Sequence, residues 1–128
     1  MSDVIITLAI SKDNLMTSNS RLHHMAKARK TKAIRDMALV LCRHEHRHTR
    51  LPAATLVVES RWPTRRNRDA ANVEPMSKAA VDGFVQAGLL NDDNSSILRQ
   101  TTYEIGDVVT DQPWVACWLK FTFTEVTP

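Results

Sequence analysis

The sequence has no apolar run approaching the about 20 residues of a membrane-crossing helix, so no helical span is expected. It also has no basic N-terminal segment followed by an apolar stretch, and a signal peptide is not expected either. Cysteine is scarce. The two that occur, Cys42 and Cys117, match no zinc motif in their spacing. Both sit among apolar residues and read as free core thiols in a reducing cytoplasm. There is no internal repeat, low-complexity tract or linker, and 128 residues are one domain's worth of chain. One domain over residues 1–128 is the expectation. Hydrophobic residues make up 43%, which argues against disorder over most of the length.

What is present is positive charge, a net +3 gathered into clusters. One is Lys27, Arg29, Lys30, Lys32 and Arg35. A second is Arg43, Arg47 and Arg50, with histidines between. A third is Arg61, Arg65, Arg66 and Arg68. A phosphate backbone attracts such clusters, although charge alone also fits solvated surface faces.

Val4 to Ile10 is a β-branched run and predicts a strand. Ser11 to Ser20 is polar and predicts a loop. Leu22 to Arg47 lacks Pro and Gly, and Met25, Ala28, Ala33, Met37, Val40 and Leu41 recur near helical spacing. That predicts a long basic amphipathic helix, stopped before Pro52. Thr55 to Trp62 alternates and predicts a strand, followed by an arginine-rich loop from Pro63 to Ala71. Pro75 suits the start of a second helix, with Met76, Ala79, Ala80 and Ala87 on its apolar stripe and Gly88 as its stop. A polar turn over Asn91 to Ser96 leads to a strand from Leu98 to Val109, irregular near Gly106. Val115 to Phe123 is the clearest period-two strand in the chain. The predicted fold class is α+β, a small mixed sheet with two helices on one side, in the order β-α-β-α-β-β.

The chemistry concentrates between Arg65 and Asp93. Asp69 follows the arginine run at the end of a strand. A helix then carries Lys78 and Asp82, and Asp92-Asp93 follows that helix. Hard carboxylate oxygens suit Mg²⁺, which keeps several waters. Such a metal polarises a phosphoryl oxygen and generates hydroxide, and a nearby lysine stabilises developing negative charge. The same residues also fit an ordinary acidic turn and an Asp69–arginine pair. Spacing alone leaves the convergence of Asp69 and Asp93 open.

The string Arg68-Asp69-Ala70-Ala71-Asn72, Pro75, Lys78-Ala79-Ala80-Val81-Asp82-Gly83, Ala87-Gly88 and Asp92-Asp93 resembles the RusA family of Holliday junction resolvases. The family pattern is Asp-x-Asp-Asn, a helix bearing Lys and Asp, an Ala-Gly turn and a closing Asp-Asp. Ser18-Asn19-Ser20-Arg21-Leu22-His23 is similar to the early Asn-containing loop of phage members. The resemblance covers most of the chain, and its specific part is Arg65 to Asp93.

It implies a Mg²⁺-dependent endodeoxyribonuclease, with Mn²⁺ as a substitute, that makes paired nicks in four-way DNA junctions. It implies a homodimer acting in recombination and repair in the cytoplasm, of a bacterial host if the chain is phage-encoded, with no small-molecule cofactor. Carried over by position, Asp69 and Asp93 are metal-binding and catalytic, Asp92 assists at the metal, and Lys78 is the catalytic lysine of the longer, proline-containing variants. DNA contact falls to Asn19, Arg21, Lys27, Arg29, Lys30, Arg65, Arg66, Arg68 and Asn72.

One position departs from the pattern. The second aspartate of Asp-x-Asp falls at Ala71, whose methyl group cannot bind a metal. Ala71 fits either a natural degenerate member or a chain altered to trap substrate. The expectation is a protein that binds junctions and cleaves them poorly. The alternative is a non-catalytic branched-DNA-binding protein on the same scaffold.

His44-Glu45-His46-Arg47-His48 fits the letters of the zinc-protease motif H-E-x-x-H. Its basic surroundings, nearby Pro52 and lack of a third ligand argue for a surface cluster instead. A zinc-binding interaction module is the weakest reading. Lys78 and Asp82 also fit a surface ion pair. Trp62, Trp114 and Trp118 are expected on strands in a core or dimer interface, and Phe84 is expected to pack in the core.

Overall fold

Strand and helix periods alternate along the chain, and the structure, a computed structural model, follows them over its described residues, 3–110 and 112–127. The elements are β1 (Val4–Ser11), a 3₁₀ turn (Lys12–Asn14), α1 (His24–His46), β2 (Ala54–Arg61), a second 3₁₀ turn (Ala70–Val73), α2 (Glu74–Ala87), β3 (Leu98–Ile105) and β4 (Val115–Glu125). The fold is therefore the expected mixed α+β arrangement in the order β-α-β-α-β-β.

The four strands form one sheet ordered β1-β4-β2-β3. β4 runs antiparallel to both β1 and β2, and β2 runs parallel to β3. β1, β2 and β3 thus share one direction. Each step between them needs a crossover, and α1 and α2 supply the two crossovers. Burial alternates strictly along β1 and β2, so one face of the sheet carries the core and the other lies open. The core face includes Ile6, Leu8, Leu56, Val58, Phe121 and Phe123. Phe84 of α2 is fully buried there and meets the Phe121 and Phe123 rings edge-on, centroids 5.1 and 5.7 Å away.

α1 covers the expected span but buries a different stripe. Its buried residues are Ile34, Ala38 and Cys42, one turn apart, with Met37 and Leu41 half-buried beside them. Met25 and Val40, expected inside, are 67% and 66% exposed, and Ala28 is exposed too. The reason is the partner. α2 presses on α1 at Gly83, where a Cβ would fall within contact distance of the Arg35 carbonyl oxygen, 2.9 Å from the Ala38 Cβ and 3.0 Å from the Leu39 nitrogen. Backbones this close leave only a narrow seam to bury. Gly83→Ala is therefore expected to lower stability by about 2–3 kcal/mol through overpacking, measured as a drop in the urea midpoint at unchanged slope.

α2 begins with Pro75 in its first turn and ends at Gly88, whose φ of 93° is left-handed. The Gly88 and Leu89 N–H groups donate back to the carbonyls of Val85 and Phe84 at 3.0 and 3.1 Å. That satisfies the last carbonyls of the helix in the way a glycine stop permits.

Two strand expectations need correction. β3 stops at Ile105 rather than Val109, because the chain leaves the ladder at Gly106. It keeps only single bonds to the end of β2, from the Gly106 N–H to the Ser60 carbonyl and from the Val109 N–H to the Trp62 carbonyl. Trp114 precedes β4 and is 56% exposed, so it is neither on a strand nor in the core. Trp62 lies just past β2 and is buried, while Trp118 on β4 is partly exposed.

Both cysteines are free and buried, as expected. Burial pushes the Cys42 thiol up to about 11 and the Cys117 thiol up to about 12. Both stay protonated at neutral pH, and the thiolate is the reactive form. A chromogenic disulfide reagent at pH 8 should leave the native protein unmodified and titrate both thiols only after denaturation. Among the described residues, no helix is long and apolar enough to cross a membrane.

Candidate nucleic-acid interface

The site begins where β2 runs out. Trp62 turns inward, and its indole N–H donates to the buried Ser60 hydroxyl at 3.0 Å. Pro63 ends the strand, and the loop returns Arg68 over the indole, its guanidinium carbon 4.0 Å from the ring centroid. Nη2 of Arg68 also donates to Thr64 Oγ1 at 3.2 Å. A cation stacked on Trp and tethered at one edge is held in place before any ligand arrives. Partial burial lowers the Arg68 pKa, and repulsion from Arg66 adds to this, while Cys117 opposes it.

Asp69 follows and caps the second 3₁₀ turn. Its Oδ1 accepts from the Ala71 N–H at 3.1 Å, and its carbonyl accepts from the Asn72 N–H at 3.0 Å. This is an Asx-type turn, which explains why Asp is suited to that position. The turn feeds directly into α2. The Asn72 carbonyl in turn accepts from the Ser18 N–H at 3.0 Å, pinning a distant loop to the same place. That loop is closed on itself by Thr17 and Ser20, whose hydroxyl accepts from the Thr17 N–H at 3.0 Å.

The result is a hollow of about 510 Å³ lined by Asn19, Trp62, Arg66, Arg68, Asp69 and Asn72, with Leu15, Thr17 and Asn67 completing it. Five residues expected at the site from sequence meet here, drawn from two segments some fifty residues apart. A second hollow, about 480 Å³, also borders Arg68 and takes in Arg65. No ion pair joins Asp69 to an arginine among the described residues.

The basic end of α1 is tied to the same end of the sheet. Lys30 Nζ donates to the Asp13 carbonyl, and Thr31 Oγ1 contacts Met16 Sδ at 3.8 Å. Lys27 lines a shallow groove with His24, Thr31 and Arg35. Arg21 and Arg29 are exposed.

Lys78, Asp92 and Asp93 are exposed and line neither hollow. Asp92 shapes its own turn, accepting from the Asp93 N–H at 2.8 Å and from the Asn94 amide at 3.1 Å. Those bonds, the backbone one first, hold its carboxyl below the usual range. The parallel pairing of β2 with β3 explains the separation from Asp69. Ala54 aligns with Leu98, so the Asp92-Asp93 turn lies at the start of β2, and Asp69 lies past its end. The 14-residue helix α2 connects the two ends, and at 1.5 Å per residue it is about 20 Å long.

Among the described residues, no three His, Cys, Asp or Glu side chains converge on a point where a metal could sit. Within one chain, Asp69 is the single carboxylate in the first hollow, facing Arg66 and Arg68. That donor set does not fit a self-contained Mg²⁺ site, which draws on carboxylates, waters and substrate phosphate. It fits an anion. The histidine cluster forms no metalloprotease pair either. α1 ends at His46, so His48 lies beyond the helix, and His46 sits 3.3 Å from the Ile5 carbonyl.

Trp62 and Thr64 are the site residues the sequence reading missed. The legible signal was a tryptophan three residues before an arginine run, within reach of a cation–π contact once the loop turns back. No family model matches the chain, and no curated protein compared with it matches.

Proposed function

We propose that the protein is a four-way-junction DNA-binding protein of the Holliday junction resolvase type, with strand cleavage impaired by Ala71. The observation that carries this is the first hollow. The Asn19 loop and the Arg66–Asn72 segment, the two stretches that resemble the RusA family, meet there and line one space with arginines that make no ion pair among the described residues and with asparagine amides. Guanidinium and amide donors suit phosphate oxygens. Lys27 and Lys30, beside the same end of the sheet, extend the positive surface.

A homodimer belongs to this reading. Two copies related by a twofold axis match the near-symmetry of a four-way junction. With Asp69 and Asp93 at opposite ends of one chain, a Mg²⁺ or Mn²⁺ set using both carboxylates requires Asp69 of one protomer and the partner's Asp93. Ala71 leaves even that set one oxygen donor short. The scaffold then favours binding over nicking.

The test compares a labelled four-way junction with a matched linear duplex at fixed, stated salt, since phosphate binding is salt-dependent. The expected result is at least about tenfold tighter binding to the junction, or about 1.4 kcal/mol. Equal affinity for both would overturn the junction reading.

A further inference from the structure

The second hollow is absorbed by nothing above. It is lined by Arg61, Arg65, Arg66 and Arg68 against Glu59 and Asp107, and Glu59 is already engaged by Arg61. The hollow therefore has an excess of guanidinium over carboxylate. It shares Trp62, Arg66 and Arg68 with the first hollow, so the stacked Arg68 guanidinium borders both spaces.

Arg68 is built for that position. One face of its guanidinium lies on the indole, which leaves the N–H donors around the edge of the plane. One edge nitrogen is tied to Thr64. No carboxylate lies within salt-bridge reach of it among the described residues. A partly buried cation without a counter-charge is costly until an anion arrives. Because it is already oriented, binding costs it little further side-chain freedom.

We propose that Arg68 clamps two nucleic-acid backbone phosphates at once, one in each hollow, with Trp62 fixing the guanidinium that borders both. This rests on the nucleic-acid reading of the site. It adds to that reading a second phosphate position and a reason for the buried tryptophan at the end of β2. Arg65 serves the second hollow alone.

The experiment measures the salt dependence of DNA affinity for the whole chain and its variants, on four-way junction, duplex and single-stranded probes. Each phosphate neutralised contributes a slope of about −0.9 in log K against log salt on duplex. Arg68→Gln and Arg65→Gln each remove one positive charge, and each is expected to flatten the slope by about one phosphate. The clamp is read in affinity at fixed salt, where Arg68→Gln is expected to cost at least about tenfold more than Arg65→Gln, because it frees two phosphates from their positions. Arg68→Lys keeps the charge without the planar fork, so it should keep the slope and still lose at least about tenfold in affinity. This variant carries the test should Arg68→Gln fold poorly.

An affinity loss by Arg68→Gln no greater than by Arg65→Gln, or an Arg68→Lys affinity equal to the parent's, would overturn the clamp. A larger Arg68→Gln loss on single-stranded DNA as well assigns both phosphates to one strand. A larger loss confined to the junction assigns them to two strands, and both results support the clamp. A parent that binds duplex and junction equally overturns the junction reading while leaving the affinity comparison between variants intact. A parent with no salt-dependent DNA binding overturns both.

Discussion

On the proposed junction-resolvase reading, Ala71→Asp is expected to confer Mg²⁺-dependent nicking. Ala71 is exposed, so a carboxylate there needs no room in the core. It lies on the 3₁₀ turn that Asp69 caps, and its N–H is the donor that Asp69 Oδ1 accepts. The new carboxylate would therefore share the Asp69 turn, two residues along from the carboxylate of the first hollow. Without metal, two like charges in one short turn repel, at a cost of roughly 0.5 kcal/mol for exposed groups. With Mg²⁺, the repulsion becomes a second hard ligand. Even outer-shell partners of a metal are worth about 10- to 100-fold in affinity or activity, so restoring a direct ligand should raise Mg²⁺-dependent junction nicking by at least about 100-fold. The assay follows paired nicks in a labelled junction with and without Mg²⁺, for parent and variant. Equal nicking by both proteins would defeat the role given to Ala71. Junction binding by both without nicking by either would favour the non-catalytic scaffold.

Phe84→Ala should have the largest effect on stability. The ring is fully buried between two edge-on aromatic partners, and it joins α2 to the central strand β4. Truncation removes the buried area and leaves a cavity that strands on a four-stranded sheet cannot collapse to fill. Losses of about 3–5 kcal/mol are usual for a buried Phe, against a domain's total stability of about 5–15 kcal/mol. Equilibrium unfolding in urea reads it directly. A loss under about 1 kcal/mol would mean that Phe84 is not a core residue. Phe84 is thereby a packing residue, as expected from the sequence.

The comparison with Gly83 is instructive. The two residues are adjacent on α2 but do opposite work. Phe84 fills the space above the sheet, and Gly83 leaves space for α1. A sequence pattern reads the first as an apolar residue on a stripe. The second is legible only once the crossing partner is known.

The amino-acid sequence by itself determined the elements, because local chemistry sets them. A β-branched run marked β1, period-two alternation marked β2 and β4, and Pro75 and Gly88 bounded α2. The Arg65–Arg68 run was equally plain, since charge is read directly from composition, whereas the capping role of Asp69 emerged only from the turn it closes. What faces what was decided by tertiary structure. The close approach at Gly83 set which stripe of α1 is buried, against the order of its apolar residues. The Ser18–Asn72 backbone bond brought Asn19 to Asp69, across fifty residues of chain. The parallel register of β2 and β3 carried Asp92 and Asp93 away from Asp69 to the far end of the sheet. Strand order and helix crossing are non-local choices, made by the packing of whole faces, and no spacing along the chain encodes the distance between two carboxylates that such packing sets apart.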